Sequence, residues 1–173
     1  MKILLRTLGI VAVISFLGFL SYGIYKKKEE KSDVKKRIES LPAFSFNSLK
    51  GEDITRNDIT GSLLWLIFFH SDCEYCQMQA ENIGKTINAN VLHIWMVSPE
   101  PVDSLSAFSK KYKLNGVSHV KLLNDKHDAG YHTFGVTSSP SSLLYSSDGT
   151  LIKSYKGVVK METVLKDLKS ASF

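Results

Sequence analysis

Cysteine is scarce: of 173 residues only Cys73 and Cys76 carry a thiol, three positions apart. A bridge between them closes so small a loop that it adds little to stability, so a purely structural disulfide is a poor reading. A zinc site is also short of donors, since four ligands are needed. The other candidates are His70, His93, His119, His127 and His132, and the His127/His132 pair lies far along the chain from the cysteines. No metal is therefore assigned. Internal repeats and low-complexity tracts are absent, and arginine is absent after Arg56. Basic residues lack an even spread. Seven of the 22 lie between Lys26 and Arg37, beside an apolar segment, and this excludes the basic domain face that a nucleic-acid partner requires.

One long uncharged run is present. Leu8–Tyr25 holds 18 residues without a charge, about 27 Å as a helix, close to the thickness of a bilayer's hydrocarbon core. Lys2 and Arg6 precede it, and Tyr22 and Tyr25 stand where interfacial aromatics belong. It is longer than a signal-peptide core, and no small-x-small cleavage site follows. No cysteine lies near it, which excludes lipoprotein processing. The sequence thus divides into a short tail (1–7), a transmembrane anchor (8–25), a charged tether (26–40) that is helical or disordered, and a globular domain (41–173). Lys26–Lys28 outnumber Lys2 and Arg6, a local bias toward a cytoplasmic domain. Long domains cross regardless of flanking charge, and the chemistry below favours an extracytoplasmic one.

The domain alternates strand and helix signals. Ala43–Phe46 reads as a short strand, Leu49–Gly61 as a turn-rich connection, and Leu63–Phe69 as a strand covered on both faces. Ser71 and Asp72 are N-cap types ahead of a helix with Met78, Ile83 and Ile87 on its pattern. Val91–Val97 is a second buried strand. Asp103 or Ser104 caps a helix with Leu105, Phe108 and Tyr112 inward. His119–Leu123 is a short extended piece, and Ala129–Phe134 a short helix. Asp148-Gly149 turns a hairpin, and Met161, Val164, Leu165 and Leu168 mark a last helix. This order implies an α/β fold, a mixed sheet with helices on both faces.

A C-x-x-C where a buried strand meets a helix has a chemical logic. Residues at i and i+3 share a helix face. A thiolate at the helix N-terminus is stabilised by free N–H groups and the dipole, which makes Cys73 the nucleophile. Cys76, one turn in, resolves the mixed disulfide. The acids beside Cys73 partly oppose the dipole: Asp72 and Glu74 each contribute roughly 0.7 kcal/mol at about 6 Å in a water-like dielectric. That balance favours a reductant or isomerase.

Strand, C-x-x-C, helix, then Ser138-Ser139-Pro140 before a hairpin and a terminal helix resembles the thioredoxin superfamily. With the N-terminal anchor, it is most similar to the membrane-tethered TlpA/ResA-type thiol–disulfide oxidoreductases over roughly Leu41–Leu168. The resemblance implies a thioredoxin fold with a cis Pro140 facing the cysteines, Ser139 and Pro140 pairing with a bound substrate strand, and no organic cofactor. It implies protein thiol or disulfide partners, such as apocytochromes, and a membrane thiol electron donor, with the domain in the bacterial periplasm. Peroxiredoxins share the element order, but His70 stands where they place Thr, and their downstream arginine is missing. The usual internal base is missing too: Ile67 and Gln79 occupy its two expected places, leaving Glu74, His70, Glu81 or water. A different class, a metal-delivery module using Cys73, Cys76 and one histidine for copper, stands as the alternative. Trp65, Phe68, Trp95 and Tyr131 are read as core, and Lys153, Lys156 and Lys160 as a solvated face.

Overall fold

The computed structural model describes residues 2–59, 61–85 and 92–171, with the side chains of 2–14, 85 and 131 left out. Two compact units result, Met1–Lys36 and Arg37–Phe173. Helix α1 runs Lys2–Ile38, its last two residues falling in the second unit, and carries the charged stretch from Lys26 as continuous helix. Phe16, Leu17, Phe19, Leu20, Tyr22, Ile24 and Tyr25 are exposed along it. Seven positions of the expected anchor, residues 8–14, lie outside the described side chains. Among the described residues, no helix is long and apolar enough to cross a membrane.

The second unit is built on seven strands: β1 (Ser45–Ser48), β2 (Asp53–Thr55), β3 (Leu63–Phe68), β4 (Leu92–Ser98), β5 (Val120–Asn124), β6 (Ser141–Tyr145) and β7 (Leu151–Lys156). Their order in the sheet is β2-β1-β5-β4-β3-β6-β7. The β3/β4 and β4/β5 pairs are parallel, and the other pairs are antiparallel. The helices are α2 (Glu74–Lys85), α3 (Val102–Lys111), α4 (Ala129–His132) and α5 (Met161–Ala171). This is the mixed sheet the element order implies.

Both sheet faces are covered, which is why β3 and β4 read as unbroken apolar runs. Trp65, Ile67, Ile94 and Met96 pack with Cys76, Ala80 and Ile83 of α2, Leu105 and Phe108 of α3, and Val164 and Leu168 of α5. The alternate residues face an aromatic cluster in which Phe68 meets Phe46 and Phe134, and Phe44 meets Trp95 edge-on at 6.0 Å. Trp65, Phe68 and Trp95 are thus core residues. Tyr131's side chain lies outside the described residues. Lys153, Lys156 and Lys160 are exposed.

Several local expectations shift. The turn-rich Leu49–Gly61 stretch contains β2 and a 3-10 turn over Arg56–Ile59, because Ile54 pairs with Phe46 and is buried there. Helix α3 starts after Pro101 with no side-chain cap, so neither Asp103 nor Ser104 serves as one. Met78 is exposed rather than inward, and Ile87 lies outside the described residues. The inward stripe of α2 is Cys76, Gln79, Ala80 and Ile83. The Asp148-Gly149 turn forms as expected, with Gly149 at φ 84° and its amide donating to the Ser146 carbonyl at 2.9 Å.

Candidate active site at the start of helix α2

The site lies where β3, β4 and β5 end side by side. His70, Ser71 and Asp72 lead from β3 into α2, and Cys73 is the residue just before the helix. Its carbonyl accepts the Gln77 amide at 3.0 Å, the first intrahelical bond, while its own amide donates to the His70 carbonyl at 3.3 Å. Cys73 therefore occupies the N-cap position that sequence preference gave to Ser71 or Asp72. Ser71 is engaged elsewhere: its amide and hydroxyl donate to Glu100 Oε2 and Oε1, each at 2.7 Å. The Gln77 side-chain amide donates to the Ser71 carbonyl at 2.9 Å. Every polar group of Ser71 is thus held.

Glu100 is the residue that sequence reading missed. Burial opposes its ionisation, but hydrogen bonds from Ser71 and from the Ser98 hydroxyl outweigh this, with help from the nearby His70, and hold its carboxyl below the usual range. Asn124 Nδ2 donates to the Glu100 carbonyl at 2.7 Å, and the Asp125 amide donates to the Ser98 carbonyl at 2.9 Å. The three strand ends are laced together through these groups. Only Pro99 and Pro101 on either side hinted at a fixed turn; nothing local tied Glu100 to Ser71, 29 positions away. Glu100→Ala is expected to cost about 1–3 kcal/mol in urea unfolding, since it strips two acceptors from part-buried donors. Glu100→Gln keeps an acceptor for the Ser71 amide and is expected to lose less than half as much. Equal losses would show that the charge, not the hydrogen bonds, holds the loop.

The two thiols differ sharply. Both are free, Cys73 half-buried and Cys76 fully buried. Burial, then a side-chain hydrogen bond with Cys73, pushes the Cys76 thiol up to about 12. The Cys73 thiol donates to the Ser139 carbonyl at 3.6 Å. The Ser139–Pro140 peptide is cis, as the resemblance implies. The structure so brings Cys73, Cys76 and Ser139 together.

Glu74 and His70 are both exposed, and among the described residues neither side chain hydrogen-bonds to a sulfur. Asp72 is exposed as well. Gln79 is buried on α2, one turn beyond Cys76, where its Nε2 donates to the Val159 carbonyl at 3.0 Å and its Oε1 accepts the Val159 amide at 2.7 Å. Beside Ser139 opens a cavity of about 490 Å³, floored by Phe68 and Val136 and edged by His70, Asp125 and Asp128. The Asp125 carboxylate accepts the Ala129 and Gly130 amides and so fixes the start of α4. Among the described residues, no three His, Cys, Asp or Glu side chains gather in a way that could hold a metal ion.

The AhpC/TSA family model matches residues 39–161. The chain is 27% identical over 172 residues to a thiol-disulfide oxidoreductase ResA of Bacillus thuringiensis subsp. konkukian, covering 97% of this chain and 95% of that protein. A secreted Mycobacterium tuberculosis disulfide oxidoreductase homologous to Escherichia coli DsbE superposes with a TM-score of 0.63 at 19% identity, covering 78% of this chain and 98% of that one. The exposed lipoprotein thioredoxin of Streptococcus pneumoniae gives 0.57 at 23% identity, covering 74% and 98%. The structural likenesses establish the thioredoxin fold.

Proposed function

The chain belongs to the AhpC/TSA family, and from that membership and the sulfur geometry we infer that it exchanges dithiol for disulfide with protein substrates, Cys73 attacking and Cys76 resolving. The observation that carries this reading is the asymmetry of the pair. One sulfur is reachable at a helix start, and the other is buried behind it with a thiol pushed up to about 12. The relatives named thiol-disulfide oxidoreductases support the same chemistry.

The steps balance without a cofactor. The Cys73 sulfur attacks one sulfur of a substrate disulfide. The S–S bond breaks, a mixed disulfide forms, and the released substrate sulfur takes the proton that Cys73 gave up. The Cys76 sulfur then attacks Cys73 Sγ and releases the second substrate thiol. Burial holds the Cys76 thiol protonated, so its proton leaves as attack begins and passes to the departing sulfur. Two electrons move from the protein dithiol to the substrate, and the reverse sequence oxidises a substrate. Glu74 and His70, exposed near the pair, are the side chains available to relay protons through water. Ser139 and Pro140 offer backbone beside the attacked sulfur for an extended substrate segment.

Residues 8–25 serve in this reading as a single membrane span, 26–40 as the tether, and the domain as periplasmic, on the outer side of a bacterial cytoplasmic membrane. There an oxidising medium makes a tethered reductant useful to clients such as apocytochromes, with electrons from a membrane thiol donor. A copper-delivery role finds less support, for want of a third donor beside the sulfurs among the described residues.

One labelling series tests these points. In spheroplasts of cells carrying the full chain, a membrane-impermeant maleimide should label Cys73 at neutral pH after reduction and not after oxidation. In a Cys73→Ser variant, Cys76 in non-denaturing buffer at neutral pH should stay unlabelled, because burial holds its thiol protonated and out of reach. Labelling only after lysis would place the domain on the cytoplasmic side. Labelling indifferent to redox buffer would remove the exchange reaction.

A further inference from the structure

Outside helix α1, the large apolar side chains left exposed among the described residues are Tyr75 (62%) and Met78 (47%). They lie three apart on α2, one on a residue between the cysteines and the other a turn further, and so share a helix face. That face is turned away from the buried stripe of Cys76, Gln79, Ala80 and Ile83, and both side chains are exposed. An exposed apolar pair beside a reactive group marks a contact surface.

Charge along the chain beside the pair is negative. The chain carries a formal +5, yet no lysine or arginine occurs between Arg56 and Lys85. Asp72 and Glu74, both exposed, flank Cys73 within that stretch. Asp128 adds a further exposed carboxylate at the cavity beside Ser139. Two exposed carboxylates thus flank Cys73 on the α2 side of its approach, while Lys156 lies on the far side, beside Pro140.

We propose that Tyr75 and Met78, rimmed by Asp72 and Glu74, form the docking surface for a polypeptide segment whose reactive cysteine is flanked by an apolar and a cationic side chain. This rests on the exchange reaction inferred above and adds the class of client. The apolar neighbour lies against Tyr75 and Met78 and leaves water. The cation offsets the carboxylates, which would repel an acidic segment.

The test uses the full reduced chain in detergent and three disulfide substrates. These are hydroxyethyl disulfide, a peptide with Phe and Lys beside a disulfide-linked Cys, and a matched peptide with Ser and Glu. Stopped-flow rates at low salt should favour the Phe/Lys peptide over the Ser/Glu peptide by at least about tenfold, the scale of one part-buried ring and one charge pair. With both peptide rates divided by the hydroxyethyl disulfide rate, Tyr75→Ser/Met78→Ser should shrink that preference several-fold. Raising salt should shrink it in the wild type, and much less in Asp72→Asn/Glu74→Gln. A preference below twofold in the wild type, or one untouched by the Tyr75/Met78 change, overturns the docking surface and leaves the exchange reaction standing. Failure to reduce any of the three substrates removes the exchange reaction itself.

Discussion

Cys76→Ser is expected to leave a stable mixed disulfide between Cys73 and its client, and multiple turnover should fall by at least about 10³-fold. Resolution by a thiol held against the mixed disulfide has an effective concentration of up to about 10⁵ M or more, which no free thiol in solution matches. Cys76 meets that condition: it is fully buried, and its side chain hydrogen-bonds with that of Cys73. Serine keeps the volume and a hydroxyl but cannot form the second S–S bond. Cys73→Ser should fail differently. It should form no adduct, since the only sulfur left is buried and its thiol stays protonated at neutral pH. Non-reducing gels of the two variants with a disulfide-bonded protein substrate, followed by mass spectrometry of any trapped band, separate the outcomes. Adducts on Cys76 in Cys73→Ser, at the rate the wild type shows on Cys73, would reverse the roles.

Gln79→Glu carries the second large effect. The wild-type amide makes two complementary bonds to Val159, donating to its carbonyl and accepting from its amide. A carboxylate can accept but not donate, so the ionised side chain of the variant would face the Val159 carbonyl with a buried charge and no proton to share. The introduced carboxyl should therefore stay neutral in the folded protein above its ordinary range near 4.3, keeping both bonds as the acid. The sign follows from linkage. A folded-state value above the unfolded one leaves stability intact below about pH 4. It is lost at about 1.4 kcal/mol per pH unit above that, until the folded carboxyl ionises. A deficit of about 3 kcal/mol at pH 7.5, nearly absent at pH 4.5, should appear in urea unfolding of the variant against the wild type. Gln79→Leu loses both bonds at every pH, a flat cost of about 1–3 kcal/mol. A deficit in Gln79→Glu that is independent of pH would show that the Val159 turn gives way instead. The same geometry explains why Gln79 is not a proton acceptor, whatever its neighbour Cys76 requires.

How far the sequence spoke depends on the range of the interaction. Leu63–Phe69 and Val91–Val97 announced buried strands because a sheet covered on both faces leaves no alternation to read. Cys73 and Cys76 announced their site because their spacing is itself the geometry. Pro140 was legible through resemblance alone, as no local rule brings it to a sulfur so far back in the chain. Ile54 was not legible. Its strand is three residues long, too short for a period, and only its partner Phe46 makes it a strand. Met78 misled because an apolar residue in a helical pattern defaults to the inside, whereas the phase of α2 is set by Cys76 and Ile83. Ser71 and Asp72 looked like caps, but the Glu100 carboxylate, supplied by the turn after β4, takes Ser71 away and leaves Cys73 at the helix start.

The order of strands in the sheet also bears on how the chain is made. A ribosome delivers β1 and β3 early, yet β1's second partner, β5, ends at Asn124, and β3 is flanked by β6, which ends at Tyr145. Val159, Val164 and Leu168, which close over the same core as Cys76, emerge later still. During synthesis, both sulfurs therefore emerge uncovered beside a strand with open edges, reachable by any oxidant or holding chaperone. The first oxidation of the pair can precede the fold that later conceals one of its members.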